Sequence, residues 1–125
     1  MKRVVVTGMA GVTAFGNDWP TIRERMQAGR SAVVTMPEWD VYAGLNTRLA
    51  APITDFTLPG HYNRKQTRSM GRVSQLATVA TELALQRSGL LGNEVLTDGR
   101  TGIAYGSSTG STAPISAFGA MLNDK

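Results

Sequence analysis

Four basic side chains open the most regular stretch of the sequence. Arg64, Lys65, Arg68 and Arg72 fall within nine residues, and no acidic residue lies between Asp55 and Glu82. On a helix, Arg64, Arg68 and Arg72 step by one turn each and form a ridge. Positive charge at a helix N-terminus opposes the macrodipole, at a cost of roughly 0.3–1 kcal/mol per exposed charge. Local helix stability therefore does not account for the ridge. Two readings stay open on the residues alone: a solvated face whose long side chains cover apolar surface, or a docking patch for an anionic partner. Nucleic acid is a poor match, because no aromatic residue is interleaved with the patch to stack on bases.

Two glycine-rich stretches could serve phosphate chemistry. The first runs from Val6-Thr7-Gly8-Met9 through Gly11 to Gly16. A dinucleotide-binding turn needs Gly-x-Gly-x-x-Gly opening directly into a helix, so that backbone N–H groups face the pyrophosphate. Here the glycine spacing is wrong, and the next helix candidate starts after Gly16, so a packed turn is the better reading. The second stretch, Gly106-Ser107-Ser108-Thr109-Gly110-Ser111, follows an apolar run. It could form a backbone nest for an anion. It lacks the Gly-Lys-Ser/Thr of a Walker loop, and a tight turn that permits close packing is the better reading.

Other chemistry is removed by composition. The 125 residues hold no cysteine and one histidine, His61. Disulfides, thiolate metal sites and a cysteine nucleophile are absent from these residues. A Ser-His-Asp triad would need His61 together with a Gly-x-Ser-x-Gly elbow, and no such elbow is present. Neither a metal nor a cofactor is expected. The net charge of +4 is mild. No apolar run is long enough to cross a bilayer, and the run at Val4-Val5-Val6 ends at Thr7-Gly8, too soon for a signal peptide. A cytoplasmic protein with no membrane partner is the default expectation.

The elements that would carry these residues follow from periodicity and punctuation. Arg3 to Thr7 and Thr101 to Tyr105 read as short buried strands. A helix is expected from Trp19 to Ala28, with Asn17 or Asp18 as N-cap, Pro20 in the first turn and Gly29 as the stop. Residues 30–60 are broken by Pro and Gly, with short extended pieces at Ala32 to Thr35 and Arg48 to Ile53. The strongest periodicity predicts one long helix from about Arg64 to Ser88. Asn63 and Gln66 have the spacing of a capping box, Met70, Val73, Ala77, Ala80 and Ala84 lie on the inner face, and Gly89 is the C-terminal cap. Pro114 opens a last helix of about ten residues, capped by Ser111 or Thr112. Strands alternating with helices point to an α/β fold with a largely parallel sheet.

Taken in order, these stretches resemble one family. Arg3-Val4-Val5-Val6-Thr7-Gly8-Met9 through Gly16-Asn17, then Ala28-Gly29-Arg30-Ser31, then Arg64-Lys65 through Arg68-Ser69-Met70, then Gly102-Ile103-Ala104-Tyr105-Gly106-Ser107, resemble the N-terminal region of type II, elongating β-ketoacyl-acyl-carrier-protein synthases. The resemblance implies that residues 1–125 are the N-terminal, incomplete part of a thiolase-like fold, with a mostly parallel sheet packed by helices. It implies an acyltransferase of fatty-acid or polyketide assembly that works by decarboxylative Claisen condensation, with acyl carrier protein as partner. The full-length protein would be a homodimer, or a heterodimer with a related subunit. Lys65 and Arg68 match basic residues that hold the acidic carrier, which favours the docking reading of the patch. Thr109 matches a position near the floor of the acyl pocket that is often larger and apolar, and Ser108 and Ser111 stand where the family's loop usually has glycine.

The catalytic cysteine and two histidines of such enzymes would lie beyond Lys125, so no residue of this chain is expected to be catalytic. Two other readings compete: a non-catalytic partner subunit that shapes the acyl cavity, and a nucleotide-binding α/β module. A family member is roughly three times as long, so the apolar strands and the central helix of this chain would lack cover.

Overall fold

The helices begin and end where side-chain chemistry can satisfy their terminal backbone groups. In the computed structural model, which describes residues 2–124, helix α1 spans Trp19–Gln27. The Asp18 carboxylate caps it by accepting from Thr21 N–H at 2.9 Å, and Pro20 sits in the first turn. It ends in a Schellman turn. Gly29 takes φ +62, its N–H reaches Met26 O at 3.1 Å, and Arg30 N–H reaches Arg25 O at 3.1 Å.

Helix α2 is short, Arg64–Thr67, and the expected capping box is formed. Gln66 N–H donates to Asn63 Oδ1 at 3.0 Å, and Asn63 N–H donates to Gln66 Oε1 at 3.0 Å. Helix α3 spans Arg72–Arg87 and closes with a second Schellman turn at Gly89, φ +70, where Leu90 N–H bonds Leu85 O at 2.9 Å. Helix α4 covers Thr112–Asn123.

The long helix expected over residues 64–88 is therefore two helices. Met70 N–H bonds Thr67 O in a turn, and Gly71 stands extended as the N-cap of α3. Periodicity runs through the break because the apolar spacing is kept on both sides. Glycine inside a helix costs roughly 1 kcal/mol relative to alanine, and at Gly71 the Ser111 side chain takes up the space that a Cβ would need. The break also divides the basic ridge: Arg64 and Lys65 belong to α2, Arg68 is its C-cap, and Arg72 starts α3.

Strand content also differs from expectation. Among the described residues the only sheet pairs β1, Val34–Thr35, with β2, Leu49–Ala50, antiparallel, with Val34 opposite Ala50 and Thr35 opposite Leu49. Both lie inside the two short extended pieces read from the sequence. Arg3 to Thr7 and Thr101 to Tyr105 form no ladder. A strand is defined by its partner, and neither segment has a strand paired beside it among the described residues, although both carry β-branched residues.

The chain divides into two compact units. One comprises residues 2–9 with 58–124, and the other residues 10–57. In the second unit Ile22 of α1 is the buried apolar residue. The glycine stretch closes on itself there: Thr13 N–H bonds Gly16 O at 2.9 Å, Gly16 N–H bonds Thr13 O at 3.0 Å, and Thr13 Oγ1 accepts from Phe15 N–H at 3.1 Å. This is the packed turn, and the N-terminus of α1 is occupied by the chain's own Asp18 carboxylate. In the first unit α3 is central, with Val79 buried. Gly8 lies against its C-terminal half, where a Cβ would meet Ala84 O at 2.5 Å and Ser88 Cβ at 2.9 Å. Arg87 Nη1 ties the same segment down by donating to Met9 O at 3.1 Å.

Candidate carrier-docking surface and groove

Lys65 and Arg68 stand on one short turn, held in place by the capping box at its start. Both are exposed, and neither side chain has an ion-pair or hydrogen-bond partner among the described residues. Their charges are thus available to an incoming anion. Arg72, the third step of the ridge, is engaged within the protein.

Beside this turn a groove of about 740 Å³ runs along one face of α3. Val73, Ala77, Thr81 and Leu85 recur at four-residue spacing on that face, so the groove follows the helix axis for about 18 Å. Ile103 and Tyr105 also line it. The lining is mostly apolar, as expected of a site for an aliphatic chain.

Polar groups gather at the two ends of the groove. At the end nearer the C-terminus of α3, Glu82 accepts from Tyr62 O–H at 2.5 Å and faces His61 Nε2 at 3.0 Å. The His61 and Tyr62 rings pack with centroids 4.3 Å apart. The Tyr62 hydrogen bond, followed by the contacts of His61, holds the Glu82 carboxyl below its ordinary range against the opposing effect of burial. Burial first, and then the hydrogen bond and charge of Glu82, push the Tyr62 phenol up to about 12. This cluster was not legible in the sequence. Its members stand 20 and 21 residues apart, and His61 by itself reads as a loop residue.

At the other end lie Gly110 and Ser111. Gly110, at φ +65, donates its N–H to Ser107 Oγ at 2.9 Å, so the loop folds on itself as a tight turn. Thr109 is exposed at the bend of this loop, and its neighbours Ser107, Gly110 and Ser111 line the groove. Ser111 Oγ accepts from Val73 N–H at 3.0 Å, a contact across 38 residues of sequence. The end of the loop thus meets the start of α3, which follows the turn that carries Lys65 and Arg68. No group of three or more potential metal ligands occurs among the described residues. No helix among them is long and apolar enough to cross a membrane.

Comparison with known proteins decides the family. Residues 1–124 match the β-ketoacyl synthase N-terminal domain. The chain belongs to this family. A crystal structure of a β-ketoacyl synthase from Burkholderia phymatum STM815 is 56% identical and superposes with a TM-score of 0.90 over 99% of this chain and 30% of that one. Nodulation protein E of Rhizobium meliloti (strain 1021) is 38% identical over 94 residues, which are 74% of this chain and 23% of that protein. The 3-oxoacyl-[acyl-carrier-protein] synthase 2 of Staphylococcus aureus (strain COL) is 32% identical over 126 residues, covering 99% of this chain and 30% of that enzyme. The chain thus spans less than a third of the length of these relatives. The likeness to a solved synthase supports the thiolase-like fold class.

Proposed function

We propose that this chain is the N-terminal part of an elongating β-ketoacyl-acyl-carrier-protein synthase, and that its residues supply recognition while the bond-making groups lie elsewhere in the protein. The match over residues 1–124 carries the reading. The absence of cysteine from these 125 residues supports placing the nucleophile in another part of the polypeptide and reading this segment as inactive alone.

In the complete enzyme a cysteine thiolate takes the acyl group from a carrier thioester and releases the carrier thiol. Malonyl-carrier then loses carbon dioxide, and the resulting enolate carbon attacks the acyl thioester. The cysteine leaves as thiolate, and the product is a 3-oxoacyl-carrier two carbons longer. Residues of this segment act before that step. Lys65 and Arg68 attract the acidic carrier and fix its approach, and Thr109 stands near the floor of the acyl pocket, where its hydroxyl makes the end of the pocket smaller and more polar than an aliphatic residue would. The complete fold carries a mostly parallel sheet, which the segments Arg3 to Thr7 and Thr101 to Tyr105 join as strands. The enzyme works as a dimer in the cytoplasm.

The exposed, unpaired charges of Lys65 and Arg68 support the docking role and define its test. In a complete synthase, Lys65→Glu with Arg68→Glu is expected to raise the carrier Kd by about tenfold or more at low salt, with the difference shrinking as salt is added. Turnover of small thioesters that lack the carrier should change little. Unchanged carrier affinity at low salt would remove the docking role.

A further inference from the structure

Ser111 occupies the N-cap position of α4, yet its side chain makes no capping hydrogen bond to α4. Its hydroxyl instead accepts from Val73 N–H, in the first turn of α3. That turn needs a partner, because the first N–H groups of a helix have none within it, and the local N-cap residue, Gly71, has no side chain to offer. The two features are matched: a Cβ on Gly71 would overlap the Ser111 side chain. Gly71 leaves the space and Ser111 fills it. Ser111 is also the end of the loop that begins at Gly106, and Val73, Ser107, Gly110 and Ser111 all line the same end of the groove.

The geometry points to Ser111 as a positioning residue that staples the Gly106–Ser111 loop to the start of α3, sets where that end of the groove closes, and thereby tunes acyl-chain length. The inference rests on the proposed synthase function and adds a specificity determinant to it. The hydrogen bond to Val73 ties the loop end to α3, whereas Gly110 N–H to Ser107 Oγ is internal to the loop. Loss of the hydroxyl frees the loop end to move relative to Val73. Thr109, two residues before the staple, moves with it.

The test separates loop placement from simple helix capping. Three forms of a complete synthase are compared: unaltered, Ser111→Gly, and Ser111→Gly combined with Gly71→Ser. The last form gives α3 a local N-cap in the space vacated by Ser111, without tying the loop. Thermal stability and the ratio of kcat/KM for long against short acyl-carrier primers are measured for each. Ser111→Gly is expected to lower stability and to shift the ratio by about 2- to 10-fold, the range that one hydrogen bond is worth. The double variant is expected to recover stability and keep the shifted ratio. Recovery of both would reduce Ser111 to a helix cap and overturn the inference, as would a ratio unmoved by either variant in an active enzyme. An unaltered enzyme with no elongation activity would overturn the proposed function as well.

Discussion

Glu82 is the residue on which most of the side-chain chemistry of the first unit converges. It is 23% exposed, accepts from Tyr62 and faces His61. Its carboxyl is held below its ordinary range, so its contribution to stability is present above the unfolded carboxylate pKa, about 4.3, and is lost as pH falls through the lower folded value. Tyr62 has the opposite sign. Its phenol is pushed up to about 12, so its contribution is complete below the unfolded value of about 10 and is lost as pH rises from there toward 12. Ultraviolet titration should therefore show a phenol titrating late, and Tyr62→Phe should remove that late step. A Tyr62 that titrates at the ordinary phenol value would contradict the contact.

At the scale of elements, the packing of the Gly8 segment on α3 is the clearest constraint. The carbonyl of Ala84 belongs to the helix and cannot move aside, so a methyl group 2.5 Å away must push the whole segment outward. Gly8→Ala is expected to destabilise the protein by about 1–3 kcal/mol, the usual range for overpacking. Gly44→Ala is the control, since nothing lies within 4 Å of its Cβ position, and its effect should stay within about 0.5 kcal/mol. Thermal or denaturant unfolding of a complete synthase carrying each change measures the difference. The break between α2 and α3 belongs to this scale as well. It leaves Arg68 at a helix end, where positive charge no longer opposes a continuing helix dipole.

For the molecule as a whole, exposed apolar surface dominates. Val4 is 94% exposed, Ile103 90% and Phe118 58%. Ile115, Phe118 and Leu122 follow one another on one side of α4 and are all exposed. Only Ile22 and Val79 are buried apolar residues among those described. Contiguous apolar surface of this kind drives association in water, and unpaired extended segments offer edges for further strands. The 125-residue chain in isolation is therefore expected to self-associate as its concentration rises and to bind a hydrophobic dye. Sedimentation of a single monomeric species with cooperative unfolding would contradict this.

Short-range physics made much of this legible in the sequence. Asp18, the Asn63–Gln66 box, Gly29 and Gly89 act within a few residues of their own helices, so their types and spacing sufficed. The absence of cysteine and the basic cluster at Arg64 to Arg72 were equally plain, and the order of motifs pointed to the family. What lay out of reach depends on pairs far apart in the chain. The contact of Ser111 with the first turn of α3 beside Gly71 joins residues 38 positions apart, and the Tyr62–Glu82–His61 cluster forms because a loop folds back on α3. The strand-like segments at Arg3 to Thr7 and Thr101 to Tyr105 have the right composition, but β structure needs a neighbour to hydrogen-bond. Local sequence sets the preference of a segment; only the tertiary fold decides which distant groups meet it.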